Sequence, residues 1–148
     1  MIVFKQGNIF DSECQTLVNT VNRNGVMGKG LALQFKKKYP KMFDEYKLAC
    51  KFKQIYIGGD LIVWDHIDMF NPKKILCFAT KEDWWNPSKL VWIDRGLKMF
   101  SQTYKAFGIT SIAFPKLGCN NGGLDWKDVK PLMIKYLEPL DITCEIYE

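Results

Sequence analysis

The segment 18–30 carries residue types that could bind a sugar joined to a phosphate. Asn19 and Asn22 stand at the end of a short apolar run. Three glycines follow, at positions 25, 28 and 30. Glycine lets the backbone adopt positive φ and approach a ligand, and amides at the start of a following helix attract phosphate. An asparagine side chain can donate to a sugar hydroxyl and accept from a water. The alternative is a strand-to-helix turn whose glycines only assist packing.

The spacing of this loop differs from that of two common phosphate-binding motifs. A Walker loop needs a glycine five residues before its Gly-Lys pair and a hydroxyl residue after it, at the places where this chain has Arg23 and Gly30. The dinucleotide fingerprint G-x-G-x-x-G is also absent, because the glycines here are spaced G-x-x-G-x-G. Neither ATP-type nor dinucleotide-type binding is therefore indicated.

Three further segments with polar residues or glycines each follow an apolar run. They are Gly7-Asn8-Ile9, residues 80–85 (TKEDWW) and residues 115–123 (PKLGCNNGG). Ligands of α/β sheets bind beyond the carboxyl ends of the strands, so we expect these segments to converge with the first loop. Two glycine loops beside one cleft could hold the two phosphates of a diphosphate, with Asn8 near a base and Asn22 near a ribose.

The elements that must position these segments alternate along the chain. Apolar patterning predicts strands over residues 2–5, 16–21, 61–64, 74–80, 109–114 and 142–147. It predicts helices over residues 29–38, from Pro40 to about residue 50, from a Ser88 cap to Tyr104, and over residues 125–136. Gly58-Gly59 breaks the chain before the third strand, and Gly108 ends the third helix. This alternation predicts an α/β sandwich with a mixed, mainly parallel sheet.

Length and hydrophobicity limit the class of protein. The 148 residues suit one domain, and we expect it to span residues 1–148. No apolar run approaches the roughly 18 residues of a membrane span, and the first residues lack the pattern of a signal peptide. We therefore expect a cytoplasmic protein with no membrane partner, and a monomer.

The thiols and the single histidine argue against metal chemistry. The cysteines are scattered, at positions 14, 50, 77, 119 and 144, and never form a C-x-x-C pair. We interpret them as buried or incidental thiols. With His66 as the only histidine, a metal site or a Ser-His-Asp triad has little support. We expect neither metal nor cofactor, and any catalysis must use carboxylates, amides, lysines or bound water.

The net charge of +5 is concentrated in one short region. That region contains Lys36, Lys37, Lys38 and Lys41. The favoured interpretation is the solvated face of a helix. The competing interpretation is a patch attracted to a nucleic-acid backbone.

The motifs together resemble those of a macrodomain. The resemblance is carried by residues 7–9, 18–22, 25–36, 80–81 and 115–126, and it runs in register from about residue 1 to residue 147. Within the superfamily the chain is most similar to the branch that holds the DNA ADP-ribosyl glycohydrolase antitoxin, which is related to the terminal ADP-ribose protein glycohydrolase. The antitoxin has a further C-terminal domain, so this chain would correspond to the hydrolase half alone.

The resemblance implies a three-layer α/β/α fold that binds ADP-ribose. Asn8 replaces an aspartate that accepts from the adenine amino group in many macrodomains, and Ile9 would offer its backbone amide to the adenine. Asn22 would orient the distal ribose near its reactive C1″. The residues implied in ADP-ribose binding are Asn8, Ile9, Asn22, Met27, Gly28, Lys29, Gly30, Leu31, Thr80, Leu117, Gly118, Cys119, Asn120, Asn121, Gly122 and Gly123.

The resemblance also implies that Lys81, with Asn22, is catalytic, since Lys81 matches the lysine of this branch. A lysine in a partly desolvated pocket has a lowered pKa, so a neutral amine could attack C1″ or act as a base. A protonated Lys81 could instead stabilise the diphosphate or the leaving group. The alternative is a surface lysine beside Glu82 and Asp83.

The implied function is removal of ADP-ribose from a nucleobase, thymidine in DNA, by cleavage of the glycosidic bond at C1″. Single-stranded DNA would then be a partner, and Trp84 and Trp85 could stack on a base or could instead pack beneath their loop. Other substrates stay open: ADP-ribose 1″-phosphate, O-acetyl-ADP-ribose or an ADP-ribosylated protein. A non-catalytic reader or sponge of ADP-ribose is also possible. The protein-directed relative has an acidic residue where this chain has Gly122, which argues against an acid-assisted mechanism.

Overall fold

The central sheet contains six strands within the residues that the computed structural model describes, 1–57 and 61–148. They are β1 (Ile2–Lys5), β2 (Thr16–Val21), β3 (Ile62–His66), β4 (Lys73–Ala79), β5 (Ser111–Phe114) and β6 (Thr143–Tyr147). Their order in the sheet is β1-β6-β5-β2-β4-β3. All neighbours are parallel except β3, which runs antiparallel to β4. The predicted mixed, mainly parallel sheet is confirmed.

Helices cover both faces of this sheet. α1 (Gly30–Lys38) and α2 (Pro40–Lys51) lie on one face, and α3 (Leu90–Thr103) and α4 (Trp126–Leu137) lie on the other. A short 3-10 helix at Ile9–Asp11 connects β1 to β2. The α/β/α layering that the resemblance implied is therefore confirmed.

Side chains of β4 alternate between the two layers of helices. Leu76 and Phe78 pack with α3 and α4, whereas Ile75 and Cys77 pack with α1 and α2. All four side chains are buried. A strand covered on both faces must be apolar throughout, which explains the uninterrupted apolar run in the sequence.

The ends of several elements differ from the sequence-based boundaries. β5 begins at Ser111 instead of residue 109, because the Ile109 N–H donates to Tyr104 O in the turn that closes α3. Pro40 occupies the first turn of α2 as predicted. Asp125 caps α4, accepting a hydrogen bond from the Lys127 N–H at 3.1 Å. The predicted break at 58–59 lies outside the described residues.

The predicted Ser88 cap of α3 is wrong. Lys89 occupies the N-cap position and makes no side-chain capping bond. Ser88 is buried, and its backbone N–H donates to Gly122 O at 2.9 Å. The serine is therefore held under the second glycine loop, where it cannot reach the free amides of the helix.

The cysteines are free thiols, and three of them are buried. Burial raises the pKa of Cys77 and of Cys144 to about 12 in each case. Such thiols stay protonated and unreactive, which confirms the interpretation of buried or incidental cysteines. Within residues 1–57 and 61–148, no cluster of three metal-ligating side chains occurs. None of the helices in these ranges has the length and hydrophobicity that a membrane span needs.

Candidate functional site

A cleft of about 440 Å³ opens at the carboxyl ends of β2, β4 and β5. It is lined by Thr20, Val21, Asn22, Val26, Gly28, Lys29, Gly30, Leu31, Ala32, Thr80, Lys81, Trp84, Pro115, Lys116, Gly118, Cys119, Asn120, Asn121 and Gly122. Its size lies within the range of small-molecule sites. Three of the four segments predicted to converge therefore meet at one edge of the sheet.

The first glycine loop leads directly into the N-terminus of α1, which faces the cleft. Lys29 is the N-cap in extended conformation and makes no capping bond with its side chain. Gly30 follows with a φ of +61°, a conformation that favours glycine. The first residues of α1 line the cleft, so the amides of its first turn are placed to bind an anion.

The second glycine loop touches the first across the cleft. A Cβ added at Gly30 would lie 2.7 Å from Nδ2 of Asn121. A Cβ added at Gly122 would lie 2.2 Å from Gly118 O and 2.5 Å from Ser88 Oγ. Any side chain at position 122 would push this loop apart. The acidic residue of the protein-directed relative therefore has no room here.

The side chain of Asn22 is held by three parts of the chain. Its Oδ1 accepts from the Asn24 N–H at 2.9 Å and lies 2.8 Å from the hydroxyl of Tyr46. Its Nδ2 donates to Val26 O at 2.9 Å. The second N–H of the amide has no partner within residues 1–57 and 61–148, so it can donate to a ligand in the cleft.

Lys81 follows β4 and enters the cleft half-buried. Its Nζ donates to Trp84 O at 3.3 Å. Burial, and then the positive charge of Lys29, lower the pKa of Lys81 below that of an ordinary lysine. The side chain is thus more easily deprotonated than a surface lysine, as the neutral-amine alternative predicts.

Comparison with known proteins identifies the family of the fold. A family model described as Macro domain matches residues 18–133. The chain belongs to the macrodomain family. It is similar to the macrodomain of Mycobacterium tuberculosis DarG, with 44% identity and a TM-score of 0.95 over 99% of this chain and 97% of that one. The resemblance found in the sequence is confirmed.

The chain is similar to one part of longer relatives. A DNA ADP-ribosyl glycohydrolase of Mycobacterium tuberculosis is 44% identical over 148 residues, which are 99% of this chain and 42% of that protein. Thermosipho africanus DarTG, solved in complex with ADP-ribose, is 37% identical with a TM-score of 0.92, over 99% of this chain and 41% of that one. The chain spans about two fifths of the length of these relatives.

Several residues predicted to bind ADP-ribose lie outside the cleft lining of the macrodomain. Met27 and Leu117 are buried in the core, and Gly123 follows the lining residues of its loop. Asn8 and Ile9 lie in the 3-10 segment, where Asn8 Oδ1 accepts from the Phe10 N–H at 2.9 Å. The contacts expected between this segment and adenine stay predictions.

Asn19 does not reach the cleft of the macrodomain. Its side chain is fully buried, and its Nδ2 contacts the sulfur of Met27 at 3.6 Å. The sugar-binding role considered for Asn19 from the sequence is therefore wrong. Successive side chains of a strand point to opposite faces. Asn19 therefore points into the core, whereas Asn22, just beyond the end of β2, lines the cleft.

Trp84 and Trp85 stand out from the macrodomain surface at the mouth of the cleft. They are 51% and 61% exposed, and their rings meet edge to face at a centroid distance of 5.5 Å. Packing beneath their loop, the alternative considered from the sequence, is wrong. Of the two, only Trp84 lines the cleft.

The lysine cluster of α1 lies at the end of the helix that is remote from the cleft. Lys36, Lys37 and Lys38 occupy its last turn, where cations complement the helix dipole. Lys36 and Lys38 lie over the rings of Phe43 and Phe10. These contacts favour the solvated-face interpretation. The cations of the cleft itself are Lys29, Lys81 and Lys116.

Sequence reasoning missed two residues of the site. The position of Tyr46 in the predicted second helix indicates that its ring is buried, but helical spacing carries no information about its hydroxyl. Asn24 appeared only as part of a glycine-rich turn. Its position two residues after Asn22 was the available signal, since a side-chain oxygen commonly accepts from a backbone N–H two residues later.

Proposed function

We propose that this macrodomain removes ADP-ribose from a nucleobase of single-stranded DNA by hydrolysing the glycosidic bond at C1″. The observation that carries the proposal is that Lys81 and Asn22 line one cleft together with both glycine loops. The similarity to a DNA ADP-ribosyl glycohydrolase and to a DarTG protein solved in complex with ADP-ribose supports the same substrate class.

Binding of ADP-ribose would use mainly backbone amides. The first turn of α1 and the loop 118–122 lie on the two sides of the cleft and present the donors that a diphosphate needs. Lys29 and Lys116 add positive charge to the lining. The free N–H of Asn22 would donate to a hydroxyl of the distal ribose and orient C1″ toward Lys81.

The reaction breaks the bond between C1″ and the base and adds water to C1″. The base leaves with the electron pair of that bond and takes up a proton, and the hydroxyl of water completes ADP-ribose. A neutral Lys81 would remove a proton of the attacking water, or would attack C1″ as the base leaves and form a covalent intermediate that water then hydrolyses, which regenerates the amine. A protonated Lys81 would stabilise the charge that develops on the leaving group. The lowered pKa of Lys81 makes the neutral amine easier to form than in a surface lysine.

The DNA would lie across the mouth of the cleft, with a base against Trp84. This ring is more than half exposed beside Lys81, and an exposed aromatic face is a general stacking platform for unpaired bases. We expect the active unit to be a monomer.

The test is release of free ADP-ribose from a single-stranded oligonucleotide that carries ADP-ribosylated thymidine. The variants are Lys81→Ala, Lys81→Arg and Asn22→Ala, with Lys98→Ala, an exposed lysine of α3, as the control. We expect Lys81→Ala to lose at least 100-fold in kcat, on the order of the contribution of one acid–base group, while retaining ADP-ribose binding.

The arginine variant separates the two roles of Lys81. Arginine keeps the positive charge but cannot be deprotonated near neutral pH. Loss of turnover in Lys81→Arg identifies the neutral amine, and retained turnover identifies the cation. Tight ADP-ribose binding without release by the unmodified protein would refute the DNA hydrolase and favour another ADP-ribose derivative or a reader.

A further inference from the structure

The Tyr46 hydroxyl contacts Asn22, a residue of the cleft lining, from the core of the protein. Tyr46 lies on α2, is 1% exposed and does not line the cleft. Its hydroxyl lies 2.8 Å from Asn22 Oδ1 and 2.8 Å from the backbone oxygen of Asn22. The single proton of this buried hydroxyl is therefore shared between a side-chain oxygen and a main-chain oxygen of Asn22.

The partners of Asn22 define which atom of its amide is oxygen and which is nitrogen. The Asn24 N–H can only donate, so the atom that it meets is Oδ1. Val26 O can only accept, so the atom that it meets is Nδ2. The Asn24 N–H and the shared proton of Tyr46 both lie at this oxygen, and one N–H of the amide has no partner among the described residues.

We propose that Tyr46 is a positioning residue that holds Asn22 as a hydrogen-bond donor to the distal ribose. This inference rests on the proposed function, because it names the group that keeps the ribose in line with Lys81. It also revises the chemistry expected from the sequence: both hydrogen bonds at Asn22 Oδ1 come from the protein, so the side chain faces the sugar as a donor and not as an acceptor from a water.

The hydroxyl of Tyr46 is suited to this role over the whole physiological pH range. Burial is the largest cause that raises the pKa of Tyr46, and the neighbouring Cys50 and Cys77 add to it. The phenol therefore stays protonated and remains a donor. Its ring is packed in the core with Met42 and Phe35, so Tyr46→Phe removes one oxygen and leaves the packing in place.

The experiment is a double-mutant cycle of Tyr46→Phe and Asn22→Ala with two readouts. The first is the Kd for ADP-ribose measured by calorimetry, and the second is kcat and KM for release from the ADP-ribosylated oligonucleotide. Tyr104→Phe is the matched control, since Tyr104 is a buried tyrosine that donates to Asp141 at 2.5 Å and belongs to the α3 side of the sheet.

We expect Tyr46→Phe to weaken ADP-ribose binding by about 2- to 10-fold, the effect of one hydrogen bond. We expect kcat to fall by about 10- to 100-fold, because a reacting group has moved. Adding Tyr46→Phe to Asn22→Ala should change both quantities much less than it does in the unmodified protein, because only the contact with the backbone oxygen of residue 22 is then lost. Tyr104→Phe should lower the melting temperature and leave both Kd and kcat unchanged.

Two results would overturn the positioning role. One is wild-type Kd and kcat in Tyr46→Phe, and the other is an effect of Tyr46→Phe that multiplies with that of Asn22→Ala. The unmodified protein could release no ADP-ribose while the two substitutions still show coupled effects on Kd. That result would refute the proposed DNA hydrolase activity and support the positioning of Asn22 by Tyr46. If the unmodified protein does not bind ADP-ribose, both proposals fail.

Discussion

Asn24 Oδ1 accepts a hydrogen bond from the Trp84 N–H at 2.9 Å. The Nδ2 of the same side chain donates to Asp83 Oδ1 at 3.0 Å. Its own backbone N–H donates to Asn22 Oδ1. Asn24 therefore joins the loop that carries Asn22 to the loop that carries Lys81, and it sets the distance between the two groups proposed to act on C1″.

Asn24→Ala is expected to lower kcat for ADP-ribose release more than it lowers the affinity for ADP-ribose. The variant loses both side-chain bonds between the loops, while the diphosphate-binding amides are untouched. We expect a decrease in kcat of about 10-fold or more. Asn86→Ala is the control, because the side chain of Asn86 makes a long contact of 3.5 Å with Asp83, within the same loop. Equal kinetics of the two variants would contradict the role of Asn24.

Lys29→Gln is expected to move the pH profile of kcat to higher pH. Burial is the larger cause of the lowered pKa of Lys81, and the charge of Lys29 is the second cause. Removing that charge makes the protonated form of Lys81 less unfavourable, so the pKa of Lys81 rises. If the neutral amine acts, the rate increases as pH rises through this pKa, and the midpoint shifts upward in the variant.

The control for this shift is Lys116→Gln. Lys116 also lines the cleft but is not among the causes of the lowered pKa of Lys81. Both variants remove one positive charge near the diphosphate, so both are expected to weaken substrate binding. Measuring kcat at saturating substrate separates this loss from the titration of Lys81. A midpoint that moves equally in both variants would show that Lys29 has no specific effect.

Trp84→Ala is expected to raise KM for the oligonucleotide substrate by about 5- to 100-fold, since stacking of one base contributes roughly 1–3 kcal/mol. The Kd for free ADP-ribose should stay close to that of the unmodified protein, because the ring lies at the mouth of the cleft. Phe70→Ala removes a 91% exposed aromatic ring between β3 and β4 and serves as the control. Unchanged KM in Trp84→Ala would exclude stacking on this ring.

Gly122→Ala is expected to destabilise the protein by about 1–3 kcal/mol and to weaken ADP-ribose binding. The added methyl group would meet Gly118 O at 2.2 Å, so the second glycine loop must move. Gly28→Ala is the comparison for stability alone, since its nearest neighbour would be Val26 Cγ1 at 3.5 Å, an ordinary contact. The measurement is urea unfolding of both variants. Equal stability would mean that the loop adapts to a side chain at position 122.

The layering of the fold was predictable because each strand and helix carries its own pattern. The run 75–79 is apolar throughout, which indicates a strand covered on both faces. α3 repeats apolar residues at helical spacing and buries Ile93, Leu97 and Phe100. The glycine loops were predictable for a similar reason, since glycines between a strand and a helix mark a place where the backbone must turn. The adjacent motifs also carried the resemblance to macrodomains.

The sequence by itself determined the types of element, the loops at their ends and the candidate lysine, because these follow from neighbouring residues. Only the tertiary structure decided which side chains meet. Tyr46 and Asn22 are 24 positions apart, and nothing local to either residue indicates a hydrogen bond between them. The burial of Asn19, the exposure of Trp84 and the lack of room at Gly122 have the same origin. Each depends on contacts between segments brought together by the sheet, and such contacts leave no periodic pattern in the chain.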